Sequence, residues 1–169
     1  MNHINRAHIK DGLEARQAAF AVLNNILVKN KRINDAFAIE QELLNKLSSR
    51  DRVLLKSLVA VVLKHKLELD LILQRFIYED LKDLRPNTLI NIFRLGLAQF
   101  LYMDIAPYAV VNNTLDLVES ENILAQKQQV NSVMRRITLE GLSVEDKRDS
   151  AKVNTPEWLW AEWVKDYGE

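Results

Sequence analysis

Histidines, carboxylates, thiols and glycine-rich turns do most of the chemistry in proteins, and their spacing in this chain argues against a catalytic site. The three histidines are His3, His8 and His65, and none is read as paired with a carboxylate on one helix face in the way a metal site needs. Cysteine is absent, which removes disulfides, thiolate metal ligands and cysteine nucleophiles. A nucleotide or methyl-donor site calls for a glycine-rich turn between a strand and a helix. Here the four glycines stand isolated at 12, 96, 141 and 168. No catalytic residue and no metal ligand is therefore expected, and the chain alone should catalyse nothing.

Binding is the more promising chemistry. Formal net charge is zero and the pI is near 6.9, so no global field draws the chain to nucleic acid. Residues 1–32 nevertheless carry six basic side chains (Arg6, Lys10, Arg16, Lys29, Lys31 and Arg32) against two acids, +4 in all, leaving −4 for residues 33–169. Arg6, Lys10 and Arg16 lead into and along the first helix, and Lys29, Lys31 and Arg32 cluster at its far end. Such a set can neutralise phosphates and give salt-dependent affinity for RNA; it can equally serve a helix C-terminus and solvent. A second basic pair, Arg135 and Arg136, lies in the segment QVNSVMRRI. It could complement a helix end, touch RNA or face another domain. In the same segment the polar Asn131 is expected to satisfy a neighbouring backbone group.

All three tryptophans, Trp158, Trp160 and Trp163, fall in the final TPEWLWAEWVKDYGE. Large aromatic side chains need a surface to bury against, which a lone helix does not offer. Thr155 and Pro156 read as cap and first helical position, and Gly168 as the stop. The segment reads as a docking element or as the first helix of a further domain.

These residues must be positioned by helices. Glycine and proline are scarce, at four and three residues, and apolar spacing is helical almost throughout, so the fold class is all-α. Helices are expected over about 13–29, 33–47, 49–66 (behind a Ser48-Ser49 cap), 68–78, 86–103 (opened by Pro86), 107–120 (opened by Pro107) and 126–139 (stopped by Gly141). The helix over 49–66 is apolar on most sides and is assigned the centre of the bundle. His65 is assigned to the dipole at that helix's end. Gly96, inside a helix at a cost of about 1 kcal/mol against alanine, implies close approach by another helix backbone. The organisation read from this is a flexible tail over 1–12, a compact seven-helix domain over 13–141, a polar linker over 142–154 and a final helix over 155–169. No apolar run reaches membrane-spanning length, and MNHINRAHIK lacks a signal peptide's apolar stretch. A cytoplasmic location is expected.

Several segments, in order, resemble the NusB family of helical RNA-binding domains: ARQAAFAVL, SSRDRVLLKSLVAVVL, FRLGLAQFLYM followed by IAPYAVVNNTLDLVE, and QVNSVMRRI. The most specific is RLGLAQFLYMDIAPYAVVN, which combines Gly96, the turn from Met103 to Pro107, and Asn112. Two branches of the family differ in function. One is the free-standing transcription antitermination factor, which binds RNA with a protein partner. The other is the N-terminal domain of RsmB (Sun) type enzymes, which methylate cytosine C5 in small-subunit ribosomal RNA using S-adenosylmethionine. VNSVMRRI is similar to the second branch's N-x-V-L-R-R signature, and TPEWL resembles its P-x-W-L helix leading into the methyltransferase. The resemblance implies a domain that positions ribosomal RNA, with its own C-terminal methyltransferase domain as partner and S-adenosylmethionine bound there and not here. It also implies that Arg135, Arg136 and the three tryptophans lie at the interdomain side. The free-standing factors often carry a denser arginine cluster before the first helix, which Arg16 alone matches clearly.

Overall fold

A computed structural model of the chain describes residues 11–141 and 150–167. Over 13–141 it is a bundle of seven α-helices, as expected in number but divided differently. We name them α1 (Leu13–Leu27), α2 (Ile33–Ile39), α3 (Gln41–Lys46), α4 (Ser49–Phe76), α5 (Leu89–Tyr102), α6 (Pro107–Ser120) and α7 (Lys127–Glu140). Short 3-10 turns at Leu81–Asp83 and Leu124–Gln126 join α4 to α5 and α6 to α7. Two further helices follow, α8 (Ser150–Val153) and α9 (Glu157–Tyr167).

Three divisions depart from the sequence reading. The span 33–47 breaks at Glu40 into two short helices, because Glu40 leaves helical geometry with ψ near 12°. The two helices expected over 49–66 and 68–78 are instead one rod of 28 residues. Nothing between Lys64 and Leu69 interrupts an α-helix, and Leu69, Ile72, Leu73 and Phe76 continue its buried face. Its start agrees with the expectation, since Ser48 caps α4 by accepting the Asp51 backbone N–H at 3.1 Å. Finally, α5 starts at Leu89 and not at Pro86. Pro86 belongs to the preceding turn, which closes when Leu89 N–H donates to its carbonyl at 2.9 Å.

The centre of the bundle also moves. α5, and not the helix that starts at Ser49, is buried on all sides: every residue from Asn91 to Gln99 is buried. α4 packs chiefly against α5 and α1, and leaves Val53, Leu67 and Leu71 in solvent. α5 in turn packs on α6, and α6 on α7. The tight point is Gly96 on α5. A Cβ there would stand 2.7 Å from Thr114 Oγ1 of α6 and 2.8 Å from Met134 Cε of α7. Side chains of two helices, and not another backbone, thus require the glycine.

Burying α5 completely means burying its polar residues, and each has a partner. Arg94 makes a bidentate pair with Asp70 of α4, at 2.7 and 2.8 Å, and donates to Asn91 Oδ1 at 2.8 Å. Asn91 donates to Asn24 of α1 at 2.7 Å, and Lys66 reaches Asp70 at 3.1 Å. A polar bracket therefore ties α1, α4 and α5, running from buried Arg94 and Asn91 out to half-buried Asp70, Lys66 and Asn24. A free guanidinium there would be costly; the fork-on-carboxylate geometry is what makes its burial tolerable. Among the described residues no helix is long and apolar enough to cross a membrane.

Candidate nucleic-acid interface

The basic residues singled out by the sequence part company in the structure. Arg6 and Lys10, like His3, His8 and Gly168, lie outside the described residues. Arg16 is in the first turn of α1 but faces inward, only 6% exposed. Its Nε donates to Gln99 of α5 at 2.7 Å, and another guanidinium nitrogen donates to the Asp11 carbonyl at 3.1 Å. Burial pulls its pKa down, opposed by the carboxylates of Asp116, Asp11 and Asp51. Arg16 is thus an interior group that fixes the start of α1 on α5.

At the other end of α1 the picture is outward. The helix ends at Leu27, and the chain curls so that Lys29 and Lys31 N–H donate to the carbonyls of Asn24 and Asn25. Asn30 takes a positive φ of 54° to make the bend. Lys29 Nζ donates to Asn25 Oδ1 at 3.0 Å, and Asn25, itself buried, donates to Glu40 at 2.7 Å. Lys31 and Arg32 are exposed. No described carboxylate comes within ion-pair distance of either. This corner, held by the Lys29–Asn25–Glu40 chain, presents two positive charges without an internal counter-charge, which suits phosphate contact.

Arg135 and Arg136 leave α7 in different environments. Arg135 is exposed and donates to Asn131 Oδ1 at 2.9 Å. Asn131 therefore serves a side chain and not the neighbouring backbone expected from the sequence. Arg136 lies over the Phe76 ring, 5.5 Å from its centroid, and meets Glu140 at 3.5 Å. Together with Gln74, Arg75, Phe76, Ile77 and Tyr78 it lines an open hollow of about 270 Å³ at the C-terminal end of α4.

The tryptophan segment sits on a polar clasp that sequence reasoning missed. Asn154, just after α8, donates from Nδ2 to Glu68 Oε2 at 3.0 Å and accepts the Glu68 backbone N–H at 3.2 Å. His65 approaches the same carboxylate at 3.2 Å and stacks on Tyr102, ring centroids 3.9 Å apart. His65 is thus mid-helix, one turn from a carboxylate on its own face, and not at a helix end. Its signal was the i, i+3 spacing of His65 and Glu68, legible once α4 is taken as continuous. Beyond the clasp α9 begins at Glu157, with the Pro156 carbonyl accepting from the Leu159 and Trp160 N–H groups at 3.0 Å. Trp160 meets Trp163 edge-on at 6.1 Å and carries Lys152 over its ring at 5.9 Å. Trp158 and Trp163 remain 67% and 52% exposed, so α9 shows an unburied aromatic face.

Among the described residues, no group of three or more metal-ligating side chains converges. The model of the NusB family matches residues 13–139, and no curated protein matches the chain.

Proposed function

This chain belongs to the NusB family, and from that premise we propose that it is an RNA-binding domain which positions small-subunit ribosomal RNA for cytosine C5 methylation by a separate catalytic domain. The observation that carries the RNA reading is the α1–α2 corner, where Lys31 and Arg32 stand exposed beside Lys29 on a backbone fixed by its own hydrogen bonds. These charges would hold the phosphate backbone in register and would not read sequence. Arg6 and Lys10 would add phosphate contacts of their own before α1, whereas Arg16, buried in its first turn, would not.

The methyltransferase reading is supported by two features. VNSVMRRI and the P-x-W-L start of α9 resemble the RsmB (Sun) branch, and the exposed Trp158 and Trp163 offer a face on which a second domain could dock. The cysteines and the S-adenosylmethionine site of such an enzyme would belong to that second domain, because this chain has no cysteine.

Fluorescence anisotropy with a labelled ribosomal RNA fragment tests the RNA reading. Affinity should fall as salt rises, and Lys31→Glu with Arg32→Glu should flatten the salt slope by about two. An affinity unaffected by salt and by both reversals would overturn it. The methyltransferase reading is tested separately by following the native coding frame beyond Glu169. A glycine-rich strand-turn-helix unit with two downstream cysteines is expected, and a stop codon directly there would leave the free-standing antitermination-type factor.

A further inference from the structure

Tyr78 is 99% exposed, yet the backbone that carries it is held firmly. It follows the last residues of α4, where Phe76 and Ile77 are buried. The side-chain amide of Gln74 then staples the loop on both sides of the tyrosine. Its Nε2 donates to the carbonyls of Ile77 at 3.2 Å and Glu79 at 3.0 Å, and its Oε1 accepts Leu81 N–H at 3.2 Å. An aromatic ring in solvent on a stapled backbone loses little freedom when something stacks on it.

Its surroundings specify what would stack. The hollow beside the ring, about 270 Å³, is lined by Arg75, Arg136 and Gln74 as well as the aromatics. The neighbouring loop acids are engaged: Glu79 accepts from Gln129 at 2.9 Å, and Asp80 pairs with Lys82 at 3.1 Å. Arg136 is held by the Phe76 ring, by the Phe76 carbonyl at 3.5 Å and by Glu140 at 3.5 Å. These polar contacts are long, and 43% of its side chain is exposed. An exposed π face and two guanidinium groups suit a planar base joined to a phosphate. A single ring on an open rim can stack only on a base freed from pairing.

We propose that Tyr78, with Arg75 and Arg136, forms a subsite for one unpaired nucleotide of a single-stranded RNA segment, the base on the tyrosine ring and its phosphate on the arginines. This deepens the RNA-binding reading above and rests on it. It adds a contact on the α4–α7 corner that is distinct in the chain from the α1–α2 corner.

The test measures binding of the whole chain to a short labelled single-stranded oligoribonucleotide and to the same sequence annealed into a duplex. Tyr78→Ala should weaken single-strand binding by about 5- to 100-fold while Tyr78→Phe stays near the parent. Duplex binding should be the same for all three. Arg136→Gln should weaken the single strand and lower its salt slope by about one. Full affinity in Tyr78→Ala would overturn the subsite and leave the hollow to a protein partner, and so would an equal loss in Tyr78→Phe. Failure of the parent chain to bind either RNA would instead refute the RNA-binding reading itself. Tyr78 is wholly on the surface, so circular dichroism of the variants should match the parent.

Discussion

Replacing Gly96 with alanine adds one methyl group at the point where α5, α6 and α7 meet. Two effects oppose each other. Alanine inside a helix is favoured over glycine by about 1 kcal/mol. The new Cβ, however, would lie 2.7 Å from Thr114 Oγ1 and 2.8 Å from Met134 Cε. The methionine end can swing aside. Thr114 cannot do so freely, because its hydroxyl donates to the Val110 carbonyl at 2.7 Å and the residue is buried. Moving it forfeits that hydrogen bond, about 1 kcal/mol, on top of about 1–3 kcal/mol for forcing volume into a packed core. The net loss expected is about 1–3 kcal/mol, or roughly 2–12 °C in Tm for a chain of this size. Urea unfolding followed by far-UV circular dichroism measures it. The discriminating step is a double-mutant cycle with Thr114→Ala, which removes the fixed obstacle. In that background Gly96→Ala should become neutral or stabilising. A loss of the same size in both backgrounds would refute the assignment of the clash to Thr114.

Three further perturbations follow from the buried polar groups. Arg16→Met keeps the volume but strips the donors from Gln99 and the Asp11 carbonyl, so stability should drop by about 2–4 kcal/mol in urea. The RNA affinity of the folded protein should meanwhile change less than about twofold, since a buried side chain supplies no phosphate contact. Asp70→Asn breaks the bidentate pair and leaves Arg94 with an uncompensated buried charge, for an expected loss of about 3–5 kcal/mol; adding Arg94→Met should recover much of it, as calorimetry would show. Burial pushes the Glu121 carboxyl above its ordinary value, so the folded state holds that proton more tightly than the unfolded chain. Its contribution is fully present below the ordinary glutamate range and is lost as pH rises through the raised value. Glu121→Gln should remove this decline from a plot of stability against pH, and an unchanged plot would refute the assignment.

The helices were legible in the sequence because apolar spacing and caps are local signals. Ser48 and Pro107 mark two starts that the structure keeps. What was not legible depended on partners distant along the chain. Arg16 reads as a surface cation until α5 brings Gln99 against it, 83 residues away. Arg94 and Asn91 sit in an apolar helix whose burial becomes tolerable only through Asp70 and Asn24. The continuity of α4 past residue 67 is not legible locally: Lys64 and Leu67 fall on the solvent side of one unbroken helix, and the buried face resumes at Glu68 and Leu69. Tyr78 gave no signal at all, since a lone aromatic beside a helix end looks like a core residue.

The unbroken run of α4 has a consequence for how this chain can vary. At about 1.5 Å per residue, its 28 residues make a rod of about 42 Å. Three attachments are read off along it: Arg50 on Asp11 near its start, Glu68 on Asn154 farther along, and Gln74 on the Tyr78 loop at its end. The rod is a ruler, and its graduations are angular as well as linear. One residue inserted between Arg50 and Glu68 would turn everything after it by about 100°, swinging Asp70 off Arg94 and Glu68 off Asn154 together. Length variation should therefore collect in the turns at 28–32, 77–88 and 121–126, while the spacing from Arg50 to Gln74 stays constant.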